Sequence, residues 1–275
     1  MSENILLRDR QNLNDQLHDL EESGYAYVPN MLNANEIMEL RDAIDCLTPI
    51  AEANDLIRDP GDEVWSGNTR SKTSIHVKNA FNRDRVFFNC LDRPRVIELA
   101  EAALGEDCHI IGMSAWRSGP GRPDQHLHVD WSPIPLPADV AINPRVKIPI
   151  FIATAHYYLN DITEELGPTK MIPGSHRAGR TPEENEMEWN GAKEQSVIVN
   201  AGDAVMFRSE IWHRGSANNS AESRYLVQVH YSSRWISQRM PPYLNKFAFD
   251  ETLLANATPR QLRLLGDHIV PGAYT

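Results

Sequence analysis

Close to Gly105 the spacing of apolar residues changes, and that change limits the fold more than any other feature of the chain. Upstream, apolar residues recur every three or four positions, the period of a helix with one buried face. Leu13, Leu17 and Leu20 mark a short helix within residues 10–22. Ile37, Leu40, Ile44 and Leu47 mark a second, which Asn33 and Glu36 are placed to open as a capping box. Val96, Ile97, Ala100, Ala103 and Leu104 mark a third across residues 93–104, begun near Pro94 and stopped by Gly105. Downstream the segments are short, alternating or wholly apolar, and turn residues separate them: Cys108–Trp116, Val146–Leu159, Ser196–Val199, Ala204–Phe207 and Arg224–Tyr231. Gly24–Pro29 reads as one early strand, and Pro259–Leu265 as a closing helix with Thr258 as cap and Gly266 as stop. Helices followed by many strands imply an all-β core, a barrel or jelly roll, braced by N-terminal helices. We read one domain over residues 1–275, helical to about 105, a β core over about 106–236 and a C-terminal extension over 237–275.

Two stretches fit neither period. Residues 52–75 are polar and irregular, the signature of a long loop. Trp131 opens a Pro-rich stretch to Pro144 that cannot continue a central strand. Both are expected to border a pocket, either as a moving cover or as a fixed wall.

Composition removes several function classes. Hydrophobic residues are 41% and charged residues 24%, enough apolar surface for a sizeable core. The net charge of −11 argues against binding nucleic acid or an anionic membrane surface. No apolar run approaches the roughly 18 residues that span a bilayer. The three cysteines, Cys46, Cys90 and Cys108, form no Cys-x-x-Cys and suit reduced thiols. With no signal-like start and no Ser-Lys-Leu ending, a cytoplasmic protein is expected. No Gly-rich phosphate loop and no Gly-x-Ser-x-Gly turn is present.

The chemistry centres on Gln125-His126-Leu127-His128-Val129-Asp130-Trp131. In extended backbone, side chains two apart share a face, so His128 and Asp130 can offer an imidazole nitrogen and a carboxylate oxygen side by side. Two histidines and one carboxylate with open positions form the facial triad of non-haem Fe(II) oxygenases. His213, at the end of a strand and before a turn, is the best second imidazole, with His126 the main rival. His156 and His230 lie within strands and His176 in a turn, where a histidine is more often a hydrogen-bonded core residue. Arg224 follows His213 by eleven positions across a turn-rich segment, so a hairpin would set it beside the His213 strand. A guanidinium facing a barrel interior needs an anion, either a bound carboxylate or a structural partner such as Glu222 or Asp203.

His128-x-Asp130, His213 and Arg224, with Gly167-Pro-Thr-Lys-Met-Ile-Pro-Gly-Ser-His176 between them, resemble the phytanoyl-CoA dioxygenase family of Fe(II)- and 2-oxoglutarate-dependent oxygenases. The likeness runs from about Gly24 to Trp235. It implies a cupin-like double-stranded β-helix in which His128, Asp130 and His213 hold Fe(II). Arg224 would pair with the far carboxylate of the co-substrate 2-oxoglutarate and Thr169 would donate a hydroxyl to it. Gln125 and Arg70 match further co-substrate contacts of members that act on natural products. Such enzymes use O2 to convert 2-oxoglutarate to succinate and carbon dioxide while oxidising a substrate C–H bond, with ascorbate as the assay reductant. Asp130, where related halogenases carry Ala or Gly, implies hydroxylation, desaturation or rearrangement rather than halogenation.

The expected partner is a small, mostly apolar molecule, a natural-product intermediate, with a homodimer left open. The alternatives are a cupin-type iron dioxygenase that needs no 2-oxoglutarate and an inactive jelly-roll binding module.

Overall fold

A computed structural model describes residues 12–47, 74–131, 134–238 and 249–267. The helices form where the apolar stripes predict them. α1 (Leu13–Glu22) starts at Asn12, whose side chain takes the Asp15 N–H. α2 (Ala34–Cys46) carries the complete Asn33–Glu36 capping box and buries Leu40 and Ile44. After the short α3 (Arg85–Phe88), α4 (Val96–Leu104) ends at Gly105, whose φ of 105° suits glycine. α5 (Ala138–Ala141) is one turn inside the Pro-rich stretch. Near the C-terminus come α6 (Glu251–Leu254) and α7 (Pro259–Leu264), the latter with a Thr258–Gln261 capping box.

Eleven strands are described: β1 (Tyr25–Val28), β2 (Ile75–Lys78), β3 (His109–Ser118), β4 (Ile152–Tyr158), β5 (Thr169–Met171), β6 (Glu188–Trp189), β7 (Ala192–Lys193), β8 (Gln195–Ser196), β9 (Ala204–Arg208), β10 (His213–Gly215) and β11 (Arg224–Ser232). The main sheet is antiparallel in the order β1-β9-β4-β11-β3-β2, and faces a smaller sheet, β10-β5-β8. An isolated bridge from His128 to His213 adds the metal-candidate segment to the edge of the smaller sheet. This is the expected jelly-roll core.

The two faces of the main sheet do different work. Tyr225, Val227, Val229 and Tyr231 of β11 point toward the helices, in one apolar cluster with Leu20, Leu40, Ile97 and Leu99. The alternate residues face the smaller sheet, where Leu226 packs with Tyr158, Met171, Val205 and Phe207. Period-2 alternation thus separates a packing face from a face free to carry polar groups.

Several segments differ from the sequence reading. Residues 146–151 are not strand, and only Ile152–Tyr158 pairs. Pro149 cannot donate to a ladder, and the buried Arg208 guanidinium instead takes the Ile148 and Pro149 carbonyls at 3.1 and 3.0 Å. The expected strand at Ser196–Val199 is shorter and earlier, Gln195–Ser196. Residues 125–131 form no regular strand; they are an irregular edge with the single bridge at His128. β2, at the end of a stretch read as loop, joins the main sheet beside β3. The rest of that loop, Arg70 included, lies outside the described residues. The far end of the Pro-rich stretch is pinned: Arg177 donates to the carbonyls of Ala141, Asn143 and Val146 at 3.2, 2.6 and 3.0 Å.

Candidate metal and carboxylate site

His128, Asp130 and His213 converge at the open end between the two sheets, each offering one ligand atom within 4.8 Å of the others. His213 Nε2 is 3.6 Å and His128 Nε2 3.9 Å from Asp130 Oδ1. The backbone makes this arrangement. Asp130 N–H donates to the Ser209 carbonyl at 2.9 Å, which fixes the carboxylate opposite the turn leading into β10. That turn is held by Arg208, which donates to Glu210 through Nε at 3.0 Å and Nη2 at 2.6 Å.

Each imidazole is oriented from behind. His128 Nδ1 lies 2.8 Å from the His126 carbonyl and His213 Nδ1 2.9 Å from the Ile211 carbonyl. A carbonyl only accepts, so both rings carry hydrogen on Nδ1 and turn Nε2, the atom available to a metal, toward Asp130. Two neutral imidazoles and a carboxylate arranged this way fit a divalent iron. The rival ligand His126 is exposed and contributes its carbonyl, not its ring. His176 is buried elsewhere, with Nε2 3.1 Å from the Glu21 carbonyl.

The electrostatics favour the liganding forms of His128 and Asp130, whereas His213 must give up a proton to bind metal. Burial, with His213 nearby, pushes His128 down to about 4, so it is neutral at physiological pH. Enclosure by protein would raise the Asp130 carboxyl, but the His213, His230 and His128 imidazoles together hold it far below the usual carboxylate range. Burial would lower His213, but the Asp130 carboxylate outweighs it and raises the pKa.

Arg224 opens β11 and is buried, 5% exposed. Neither Glu222 nor Asp203 pairs with it: Asp203 instead accepts the N–H groups of Asn30 and Asn200 at 3.0 Å each. Its Nη1 donates to the Gly167 carbonyl, its Nε has no partner, and no acidic side chain among the described residues bridges to it. Burial lowers its pKa. Such a group calls for an anion. Thr169 opens β5 and is buried, with Tyr158 Oη donating to its Oγ1 at 3.2 Å. The Gly167 carbonyl that Arg224 meets lies two residues before Thr169, so Arg224, Tyr158 and Thr169 share one corner.

Gln125 also holds the ligand segment in place. Its Oε1 accepts the Gly215 N–H at 2.8 Å and its N–H donates to the Gly215 carbonyl at 2.9 Å, which clamps the ligand segment to β10. Sequence reasoning missed the polar lining of the main sheet. His156 and Gln228 are cross-strand partners on the site-facing side, and Trp116 stands beside them. His230 lies 3.0 Å from Thr154 Oγ1 and feels Asp130. Stepping two residues at a time from Arg224 along β11 reaches Gln228 and His230, and that parity was the available signal.

Known proteins resemble this chain in sequence and in fold. Residues 20–226 match the profile of Phytanoyl-CoA dioxygenase (PhyH). The dioxygenase af480 of Aspergillus fumigatus is 25% identical over 83% of this chain and 70% of its own. The L-proline trans-4-hydroxylase of Streptomyces griseoviridis is 24% identical over 76% of this chain and 82% of its own. Among solved structures, the non-heme alpha-ketoglutarate-dependent epimerase SnoN from nogalamycin biosynthesis superposes with a TM-score of 0.61 at 20% identity, over 80% of this chain and 82% of that one. The chain belongs to the phytanoyl-CoA dioxygenase family.

Proposed function

We propose that this protein is an Fe(II)- and 2-oxoglutarate-dependent dioxygenase in which His128, Asp130 and His213 hold the iron and Arg224, with Thr169, binds the far carboxylate of 2-oxoglutarate. The observation that carries the reading is Arg224: a buried guanidinium with no acidic partner, in one corner with the Thr169 hydroxyl, in a chain that also assembles two histidines and a carboxylate. Bound iron would supply redox chemistry with O2. The protein's part is to hold three ligand atoms in place, to anchor the co-substrate and to exclude water. Gln125 serves as the clamp described above, and its contact with the co-substrate, like that of Arg70, is assigned by resemblance alone.

The substrate class is a small molecule, and a natural-product intermediate is the narrower proposal, supported by structural neighbours such as SnoN. The half-buried His230, on the site-facing side of β11, argues for a substrate with some polar groups rather than a wholly apolar one. Three free cysteines, two of them buried, support a cytosolic setting. No described helix is long and apolar enough to cross a membrane.

Anaerobic addition of 2-oxoglutarate to the Fe(II) protein should produce a visible metal-to-ligand absorption band. Arg224→Ala should abolish that band while metal still binds. With O2 and ascorbate, succinate should form and should increase with a suitable substrate. Metal binding without any 2-oxoglutarate binding would favour an iron dioxygenase of the cupin type; no metal binding at all would favour a binding module.

A further inference from the structure

We propose that Trp116, Gln228, His156 and Tyr158 form a one-way hydrogen-bond chain that presents the Thr169 hydroxyl as a donor to the carboxylate held by Arg224. The inference rests on the co-substrate reading above and gives Trp116, Gln228, His156 and Tyr158 a part in it.

The direction of the chain follows from its first member. An indole N–H only donates. Trp116 Nε1 lies 2.7 Å from Gln228 Oε1, so the Gln228 oxygen faces Trp116 and its amide nitrogen faces the other way. That nitrogen sits 2.8 Å from His156 Nε2, so Nε2 must accept. His156 is buried between Phe207 and Tyr158, with ring centroids at 4.6 and 6.0 Å, and burial drives its pKa well below the ordinary value. A neutral imidazole that accepts at Nε2 carries its hydrogen on Nδ1. Nδ1 faces Tyr158 Oη at 3.5 Å, the longest link. Tyr158 then has its own hydrogen to give, and gives it to Thr169 Oγ1 at 3.2 Å. The Thr169 hydrogen is left for a group outside the chain, beside the Arg224 guanidinium.

Without this ordering, a threonine hydroxyl is equally able to accept, and half of its orientations would turn a lone pair toward a carboxylate. Fixing the donor direction in advance removes that choice, and neighbouring bonds in such a chain polarise one another. The corner then offers only donors: Arg224 Nε, and the Thr169 hydroxyl. That matches a carboxylate and mismatches an amide or an alcohol that must donate. His156, Gln228 and Tyr158 are positioning residues, acting through Thr169 rather than on the reacting atoms.

Two measurements test this. In 15N-histidine-labelled protein loaded with Zn(II) and 2-oxoglutarate, His156, assigned with a His156→Phe sample, should be neutral with hydrogen on Nδ1 at pH 7. A hydrogen on Nε2, or a doubly protonated ring, would overturn the proposal. Tyr158→Phe should raise the Kd for 2-oxoglutarate about ten-fold, as expected for losing a hydrogen bond to a charged group. Fe(II) affinity should be unchanged. Thr169→Ala should have a similar effect, and the double variant should be little worse than either. If Thr169→Ala weakens binding and Tyr158→Phe does not, the chain is refuted while the co-substrate site stands. If Thr169→Ala binds as the parent does, the assignment of Thr169 falls and the chain with it. The histidine measurement uses the unaltered protein, so a variant that fails to fold leaves the test intact.

Discussion

His128 and His213 are backbone partners: the His128 N–H donates to the His213 carbonyl at 3.0 Å, and the His213 N–H returns the bond at 2.9 Å. A reciprocal pair of this kind places both side chains on the same face of a sheet, and here the two rings lie 4.5 Å apart between centroids. One ligand comes from an irregular edge and the other from a strand end, so a bound cation ties the two together. Metal should therefore stabilise the fold. At a free concentration one hundred times Kd, Zn(II) is expected to add about 2.7 kcal/mol to unfolding free energy, read from denaturant titrations. His213→Ala should remove that increment; an equal gain in the variant would place the metal elsewhere.

Metal affinity should also depend on pH in a definite sense. His213 has a raised pKa because Asp130 holds its proton, so the metal must displace that proton. Affinity should climb as pH rises through the raised pKa, with proton release seen calorimetrically in buffers of different ionisation heat. His128 at about 4 imposes no such barrier at neutral pH. For folding of the metal-free protein the signs separate. The His213–Asp130 interaction stabilises fully below the ordinary histidine pKa and is lost as pH rises through the raised value. His128, by contrast, binds its proton more readily when unfolded, so its effect destabilises as pH falls from about 6.5 toward about 4. His156 and His176, both lowered by burial, act in the same direction as His128. Stability of the metal-free protein should thus decline on acidification across that window, and an unchanged denaturation midpoint there would contradict the neutral assignments.

Arg224 predicts a trade between stability and binding. In the absence of an anion its burial is a cost that a Gly167 carbonyl only partly offsets. Arg224→Met should stabilise the ligand-free protein by about 1 kcal/mol while eliminating 2-oxoglutarate binding. Arg224→Lys should not restore affinity, because an ammonium lacks the planar fork. Denaturation curves with and without 2-oxoglutarate check both halves; a destabilised Met variant would mean that Arg224 has a structural partner instead.

Gly167 supports that corner through its backbone. Its φ is +82°, and a Cβ there would lie 2.6 Å from the Ala217 carbonyl oxygen and 2.7 Å from that of Ser216. Gly167→Ala combines left-handed strain of about 1–2 kcal/mol with a clash against backbone. The expected result is a lower melting temperature together with weaker 2-oxoglutarate binding, since the carbonyl that orients Arg224 moves. A variant with the parent's melting temperature would show that the 216–217 segment yields freely.

The sequence made the helices and the ligand set legible for different reasons. Leu40 and Ile44 recur at helical spacing and Asn33–Glu36 is a local capping signal, so α2 needed no tertiary information. His128 and Asp130 share a face in any extended backbone; the hairpin expected to set Arg224 beside the His213 strand does not form, because β10 pairs with β5 in the smaller sheet and β11 with β3 and β4 in the main one. What escaped depends on contacts between distant residues. Arg208 interrupts the expected strand at residues 146–151 by capturing carbonyls from a segment nearly sixty positions earlier. Gln125 acts as a clamp only because Gly215 lies opposite it. His156 looked like an ordinary core histidine because its partner, Gln228, lies 72 positions away on the next strand.

The alternation along β11 has an evolutionary corollary. Val227 and Val229 belong to the helix-packed core, whereas Leu226, Gln228 and His230 face the smaller sheet and the site. Odd and even positions of one strand therefore answer to separate selection pressures. Lineages can rewrite the site-facing side at every second residue, and so change what the enzyme accepts, without disturbing the packing that keeps the strand in place. A one-residue insertion inside β11 has no such licence, because it would exchange the two sets beyond the insertion point. New specificities in this scaffold should accumulate by substitution within the strands and by length change only in the loops between them.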